Sequence, residues 1–355
     1  MNVIYTIIAF LIGFTIMVLV HEWGHYITGR MFHVKIDEFA VGMGPKIYSR
    51  KGKKNNVQFS VRAFPIGGFV KFAGDGESYG EQTAVSENDP DILPNKKVWQ
   101  RFIIAAAGAI MNVILGFILL IIIYMSIGMP TEKPTIGEVI DGQPAAVAGL
   151  QKGDIILKID GVDIVQNNYD EAFKQVGELI TEKTSIFTVN RNGEIIEVSV
   201  KPIYSDETDN KGYKIGIYFG YTYEPMAVGT AISYSAKKAG EMITLIARAF
   251  KNLIFKGEGV EDVGGPVSIV KVINDATKEG FISVLSIFAA LSLNLAVVNL
   301  IPFPALDGGM CLLLIIEAIR RKPLSKEVSG WISLVGFVVL MLLMIVLTVK
   351  DVIKL

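Results

Sequence analysis

The chain has 355 residues, 51% of them hydrophobic, and carries a formal net charge of -1. A composition this apolar excludes an ordinary soluble globule, and a near-neutral chain with no basic and aromatic cluster excludes nucleic acid as a partner. The single cysteine, Cys311, excludes an intrachain disulfide framework and a metal site built from several thiolates.

A polytopic membrane protein is therefore expected. The first apolar run, residues 3 to about 29, lacks a basic leading segment and a small-residue cleavage site, so it reads as a retained transmembrane helix rather than a signal peptide. Its C-terminal half contains His21-Glu22-Trp23-Gly24-His25. Residues four apart share a helix face, so the two imidazoles can grip one zinc while Glu22 stands beside the attacking water as a base. So short a pattern also arises by chance. Against chance, two of the three histidines in the chain fall at this spacing, and a glutamate within a bilayer-length segment is costly unless it has a partner or a task. The third, His33, lies beyond the apolar run and reads as an interfacial or loop residue. From Arg30 to Arg101 the chain is rich in Lys and Arg, the mark of the cytoplasmic side, which puts the histidine pair nearer the cytoplasm.

Residues 57–72 alternate apolar and polar side chains around Pro65-Ile66-Gly67-Gly68, which predicts a hairpin with an exposed edge, either soluble or dipping into the membrane. An unwound peptide could add to that edge as a strand, which makes Gly67 and Gly68 candidates for substrate contact. Residues 74–97, rich in Gly, Asp, Glu, Asn and Pro, read as a mobile loop. The second span covers 102–127 and contains Gly108-Ala109-Ile110-Met111-Asn112. Small residues there allow close packing, and an intramembrane asparagine needs a hydrogen-bond partner, so Asn112 serves packing near the site or contacts substrate.

Residues 134–203 turn polar and strand-like, with turns at Asp141-Gly142, Asp160-Gly161 and Asn192-Gly193. The stretch GQPAAVAGLQKGDIILKIDGVDI resembles a PDZ domain, although it has no Gly-Leu-Gly-Phe carboxylate loop. Because the second span leaves the basic side, this domain is expected to be extracytoplasmic. Residues 225–255 predict an amphipathic interfacial helix rather than a span, and 257–280 a glycine-rich charged link with a turn at Val263-Gly264-Gly265-Pro266. The third and fourth spans are 281–303 and 329–349, with Arg320, Arg321, Lys322 and Lys326 between them on the cytoplasmic side. The chain thus divides into 1–130 (two spans, zinc motif and hairpin), 131–204 (PDZ-like), 205–280 (interfacial helix and link) and 281–355 (the last two spans). The fold class is a polytopic α-helical membrane protein with four transmembrane helices, a membrane-associated β-hairpin and one inserted PDZ-like α+β domain.

A catalytic zinc usually takes three protein ligands, and two histidines leave one to find. The candidate is Asp307 in NLIPFPALDGG; with four spans it returns to the side of His25, though the same carboxylate could instead cap the following helix. Taken together, HEWGH, RAFPIGGFVKFAG, GAIMN and NLIPFPALDGG resemble, in order and over nearly the whole length, the motifs of the site-2 proteases, the intramembrane zinc metalloprotease family. The resemblance implies His21, His25 and Asp307 as ligands of a zinc cofactor, Glu22 as the catalytic glutamate and Asn299 as a substrate-contacting residue. It implies a multi-pass enzyme of the bacterial cytoplasmic membrane that cuts single-span membrane proteins in or near the bilayer. A single PDZ-like domain looks like the Gram-positive members that cut anti-sigma factors and signal-peptide remnants. A transporter or a PDZ scaffold with a structural zinc is the rival reading, but a structural site needs no base and no internal repeat of spans is visible. Oligomeric state and the identity of the substrate are not written in the sequence.

Overall fold

In the computed structural model the described residues are 3–52, 56–74, 88–131, 133–166, 168–206, 212–259, 261 and 263–353. They form two compact units, one from Tyr124 to Ala231 and the other from the chain on either side of it.

Helix α1 (Val3–Met31) is apolar nearly all round, and Ile4, Ile8, Ile12 and Ile16 stay uncovered, as suits a helix whose outer face meets lipid. Two long strands follow, β1 (Ile36–Lys51) and β2 (Gln58–Phe72). The chain reverses at Pro65–Gly68 as expected, but the two arms do not pair with each other: 58–61 and 68–71 run in opposite directions, each against β1. Residues 38–41 lie opposite both 58–61 and 68–71, so the first half of β1 is flanked by the two arms of β2. The arm 64–72 keeps strand partners on one side only among the described residues, which preserves the expected free edge. Gly42 (φ 81) and Gly44 (φ 87) let β1 deviate from regular pairing where a side chain would be strained. Glu38 is buried in this sheet, bonded to Ser60, to Arg62 at 2.9 Å and to Lys46 at 3.2 Å. Met43, Ile47, Tyr48, Val61 and Phe64 are uncovered, an exposed apolar surface of the kind a membrane-associated sheet presents. Of the loop expected over 74–97, residues 75–87 lie outside the described residues. Its second half is anchored, with Asp89 paired to Lys35, Lys96 to Asp91 at 2.8 Å, and Ile92 and Leu93 buried.

Helix α2 (Val98–Ile127) buries Ile104 to Ala109, Asn112, Gly116, Leu120 and Ile123, a stripe at helical spacing. A Cβ on Gly24 would lie 2.4 Å from the Ala107 carbonyl oxygen, so α1 and α2 cross almost backbone to backbone.

The second unit contains, in order, β3 (Met129–Pro130), β4 (Thr135–Val139), α3 (Pro144–Ala148), β5 (Ile155–Ile159), β6 (Val162–Asp163), α4 (Tyr169–Leu179), β7 (Ser185–Arg191), β8 (Glu194–Val200), β9 (Ile203–Ser205), β10 (Gly212–Lys214), β11 (Ile217–Gly220) and β12 (Tyr223–Glu224). Its main sheet has the order β11-β4-β5-β7-β8 around a core of Ile136, Ile156, Ile159, Phe187, Val189 and Val200, and it forms a separate β-rich domain where the PDZ-like one is expected. Asp154, fully buried, takes two bonds from Arg191 at 2.7 and 2.6 Å. The turn at Asn192-Gly193 has both residues at positive φ, as a tight hairpin requires. The boundary expected at 204 falls too early. β11 lies beyond it yet pairs with β4, and β12 pairs with β3 to join the segments entering and leaving the unit.

Helix α5 (Val228–Lys256) is amphipathic and is not among the four helices apolar enough to span a membrane. The expected link over 257–280 is in part helix α6 (Pro266–Glu279). Its first turn is capped from far along the chain: Asp351 accepts bonds from the amides of Gly265 (3.1 Å) and Ser268 (2.8 Å) and from the Ser268 hydroxyl (2.7 Å). Helices α7 (Phe281–Leu300), α8 (Asp307–Arg320) and α9 (Lys326–Ile353) complete the first unit, and α1, α2, α7 and α9 are its four membrane-spanning helices.

Candidate metal centre

One turn of α1 separates His21 from His25, and their Nε2 atoms face each other at 3.3 Å. The Nδ1 of His25 lies 2.7 Å from the Ile104 carbonyl oxygen and donates to it, which leaves Nε2 with its lone pair inward. Asp307 brings Oδ2 to 3.3 Å from the His21 Nε2 and 3.5 Å from that of His25. The three ligand atoms lie within 4.8 Å of one another.

The local chain explains how Asp307 arrives there. Pro302 and Pro304 follow the end of α7, and Ala305 takes a left-handed turn (φ 72). The segment then folds tightly against the first turn of α8. A Cβ on Gly308 would lie 2.3 Å from the Ile301 carbonyl oxygen, and one on Gly309 2.2 Å from that of Phe303. The residue at the helix cap is Leu306, and no side chain caps the end, so the capping role weighed for Asp307 is not the one it plays.

These residues fit a zinc ion. Asp307 Oδ2 is buried without a hydrogen-bond partner, and with the His25 proton on Nδ1 the inward nitrogen of that ring is an acceptor too. Acceptors that converge without a donor repel one another, and a cation resolves the conflict. Two imidazoles and a carboxylate are a common catalytic zinc set with one position left open. Gly108 of α2 backs this space. A Cβ there would lie 2.4 Å from the His25 Nε2 and 2.7 Å from the His21 Nε2.

Glu22 is next to the histidine pair, and the Val70 amide is hydrogen-bonded to its carboxylate. A Cβ on Gly68 would lie 3.5 Å from the Glu22 Cγ, so the free-edged arm of β2 runs alongside the glutamate. Gly67 is not brought to the site; the space beside it is taken by Met43. Asn112 is fully buried, with Nδ2 3.2 Å from the His21 Nδ1, so it faces a histidine rather than open space for a substrate. Asn299, partly exposed, has its Nδ2 3.5 Å from the same nitrogen. His33 is exposed just past the end of α1 and is not part of the cluster. The sequence reading did not find the space-making role of Gly108 or the part played by the Ile104 carbonyl. The helical offset of four between Gly108 and Asn112 was the available signal.

Four spanning helices with two histidines, an aspartate and a glutamate gathered among them define a membrane-embedded metallopeptidase. Residues 9–343 match peptidase family M50. A putative zinc metalloprotease of Clostridium acetobutylicum is 36% identical, with 98% of each chain covered. The zinc metalloprotease RasP of Bacillus licheniformis is 31% identical and the regulator of sigma-W protease RasP of Bacillus subtilis 30% identical, again over 98% of this chain and 98% of theirs. Among solved structures, the PDZ domain of an SdrC-like protein from Listeria innocua matches 26% of this chain and 99% of its own at 21% identity, with a TM-score of 0.21. The chain belongs to peptidase family M50, the site-2 proteases. It is a multi-pass zinc metalloprotease whose substrates are membrane proteins.

Proposed function

We propose that the chain hydrolyses a peptide bond within or beside the transmembrane segment of a single-span protein, with His21, His25 and Asp307 as zinc ligands and Glu22 as the base. The observation that carries this is the convergence of the three ligand atoms with Glu22 and an unpaired strand edge beside them. Zinc bound there supplies Lewis acidity, polarising the scissile carbonyl and making water acidic enough to attack near neutral pH. Glu22 takes the proton of the attacking water and returns it to the leaving amine.

A helical substrate hides its scissile carbonyl in its own hydrogen bonds and must unwind to be cut. The free edge of residues 64–72 can hold the unwound segment as an added strand, and Gly68 lets that backbone come close to Glu22. Asn299, partly exposed and near His21, can donate its amide to the substrate carbonyl. The basic segments after α1 and between α8 and α9 support a site toward the cytoplasm, a PDZ-like domain outside and α5 in the outer interface. A cysteine placed at Asn192 should then label from outside intact cells. The single PDZ-like domain supports anti-sigma factors or signal-peptide remnants as substrates.

Glu22→Gln tests the chemistry. The variant keeps its ligands and should keep its zinc, while loss of the base costs roughly 10² to 10⁴ in rate. The measurement is cleavage of a model transmembrane substrate by both proteins at matched zinc content. Equal cleavage would remove Glu22 from the reaction.

A further inference from the structure

We infer that Asn112 is a positioning residue that sets the tautomer and orientation of His21, with its side-chain carbonyl accepting the proton on Nδ1. The inference rests on the reading of His21 as a zinc ligand.

An imidazole that gives one nitrogen to a metal carries its proton on the other, and that proton needs an acceptor. His25 has one in the Ile104 carbonyl. His21 also turns Nε2 toward Asp307, so its proton belongs on Nδ1. The Gly108 carbonyl oxygen is hydrogen-bonded to the His21 ring, and the Asn112 amide lies with Nδ2 3.2 Å from Nδ1, which would set two donors against each other. On the same side chain, Oδ1 is buried without a partner. The two ends of an amide have the same shape, so the hydrogen-bond network assigns which is which. Turning the Asn112 amide by half a revolution replaces that donor with an acceptor for the His21 proton, beside the Gly108 carbonyl, and ends the isolation of Oδ1.

Two further observations support this assignment. The Asn112 backbone is held in place, since the Ser292 hydroxyl of α7 donates to its carbonyl oxygen at 2.8 Å. Asn112 also lies one helical turn from Gly108, so one face of α2 provides space for the imidazoles and then an acceptor for one of them. Asn299 is the weaker candidate for this task. It is farther from Nδ1, at 3.5 Å, and partly exposed.

The test is zinc affinity of the purified full-length protein, read by competition with a chromophoric chelator, together with thermal unfolding of the metal-free form. Asn112→Leu keeps the volume and removes the acceptor; it should weaken zinc binding 10 to 100-fold, the usual cost of losing such a partner, without lowering metal-free stability. Asn112→Asp keeps an acceptor and should bind zinc at least as tightly as the wild type. Wild-type affinity in Asn112→Leu would leave Asn112 as packing only. Weaker binding in Asn112→Asp would make it a donor, and either result overturns the inference. If the leucine variant does not fold, the aspartate variant decides alone. His21→Ala separates the two levels. Undiminished zinc affinity in His21→Ala would refute the ligand assignment itself, whereas a loss there with none in Asn112→Leu would refute only the role given to Asn112.

Discussion

Adding one methyl group at Gly108 should disable the metal centre while favouring the helix that carries it. The new Cβ would lie 2.4 Å from the His25 Nε2, 2.6 Å from the His21 Cε1 and 2.7 Å from the His21 Nε2, whereas ordinary contact begins at 3.4 Å. The rings must therefore retreat by about 1 Å and about 0.8 Å, several times the ~0.2 Å that zinc–nitrogen bonds tolerate. His25 has little room to give, because its Nδ1 is bonded to the Ile104 carbonyl at 2.7 Å. The backbone effect runs the other way, since alanine is favoured over glycine by about 1 kcal/mol inside a helix. Loss of a supporting partner alone costs 10 to 100-fold in metal affinity, so displacement of two ligands should cost more than about 100-fold. Zinc content after dialysis against a chelator, thermal unfolding and cleavage of a transmembrane substrate would be measured on Gly108→Ala. The control is Gly240→Ala in α5, where a Cβ meets nothing within 4 Å and zinc should be unchanged. A folded Gly108→Ala protein with full zinc and wild-type cleavage would refute the claim that both imidazoles converge over this glycine.

Asp307→Ala should lose zinc as well as hydrolysis, because the variant keeps two of three protein ligands; full zinc occupancy by metal analysis would remove the aspartate from the site. Glu317→Gln strands the Arg101 guanidinium that pairs with it between α2 and α8, where the side chains are only 17% and 13% exposed. A fully buried pair broken this way loses 3–5 kcal/mol, so about 2 kcal/mol is expected here, and Arg101→Gln added to it should recover part; strictly additive losses in a thermal double-mutant cycle would argue against coupling. For Glu38, burial opposes ionisation, but bonds from Ser60, Arg62 and Lys46 outweigh it and hold the carboxyl below its ordinary value. A carboxyl depressed in the folded state stabilises above its unfolded value of 4.5 and loses that contribution as pH falls through the folded value. Unfolding temperatures should therefore fall on acidification more steeply in the wild type than in Glu38→Gln, and equal slopes would contradict this.

The spans and the histidine pair were legible because each depends on local pattern, apolar runs of bilayer length and an offset of four on a helix, and Asp307 followed from counting the spans, which returns it to the side of His25. What was missed depends on partners distant in sequence. In 257–280, Pro266 at the start of α6 and Gly280 at its end read as turn and link residues, and the cap of that helix comes from Asp351, far along the chain. β11 looked like a segment outside the domain because its partner β4 lies at the domain's other end. Over 36–51 only the basic residues inform the sequence reading, and β1 forms there with Gly42 and Gly44 at positive φ within the strand. The reversal expected at Pro65–Gly68 is there, but its two arms pair with β1 between them rather than with each other, and that partner lies outside 57–72.

The spacing of four occurs twice at the centre, as His21 and His25 on α1 and as Gly108 and Asn112 on α2. Both pairs face each other because Gly24 and Ala107 bring the two backbones together at the same level. The 5.4 Å pitch of each helix then sets the match between them. Gly108 stands against the Nε2 atoms of both rings, and Asn112, a turn away, against the Nδ1 of His21. A helix that supplies no zinc ligand thus controls both how near the imidazoles can come and which way one of them faces. A side chain larger than glycine at position 24 would push α1 from α2 at the Ala107 carbonyl and separate the two pairs together, so the crossing point and the metal centre depend on the same close approach.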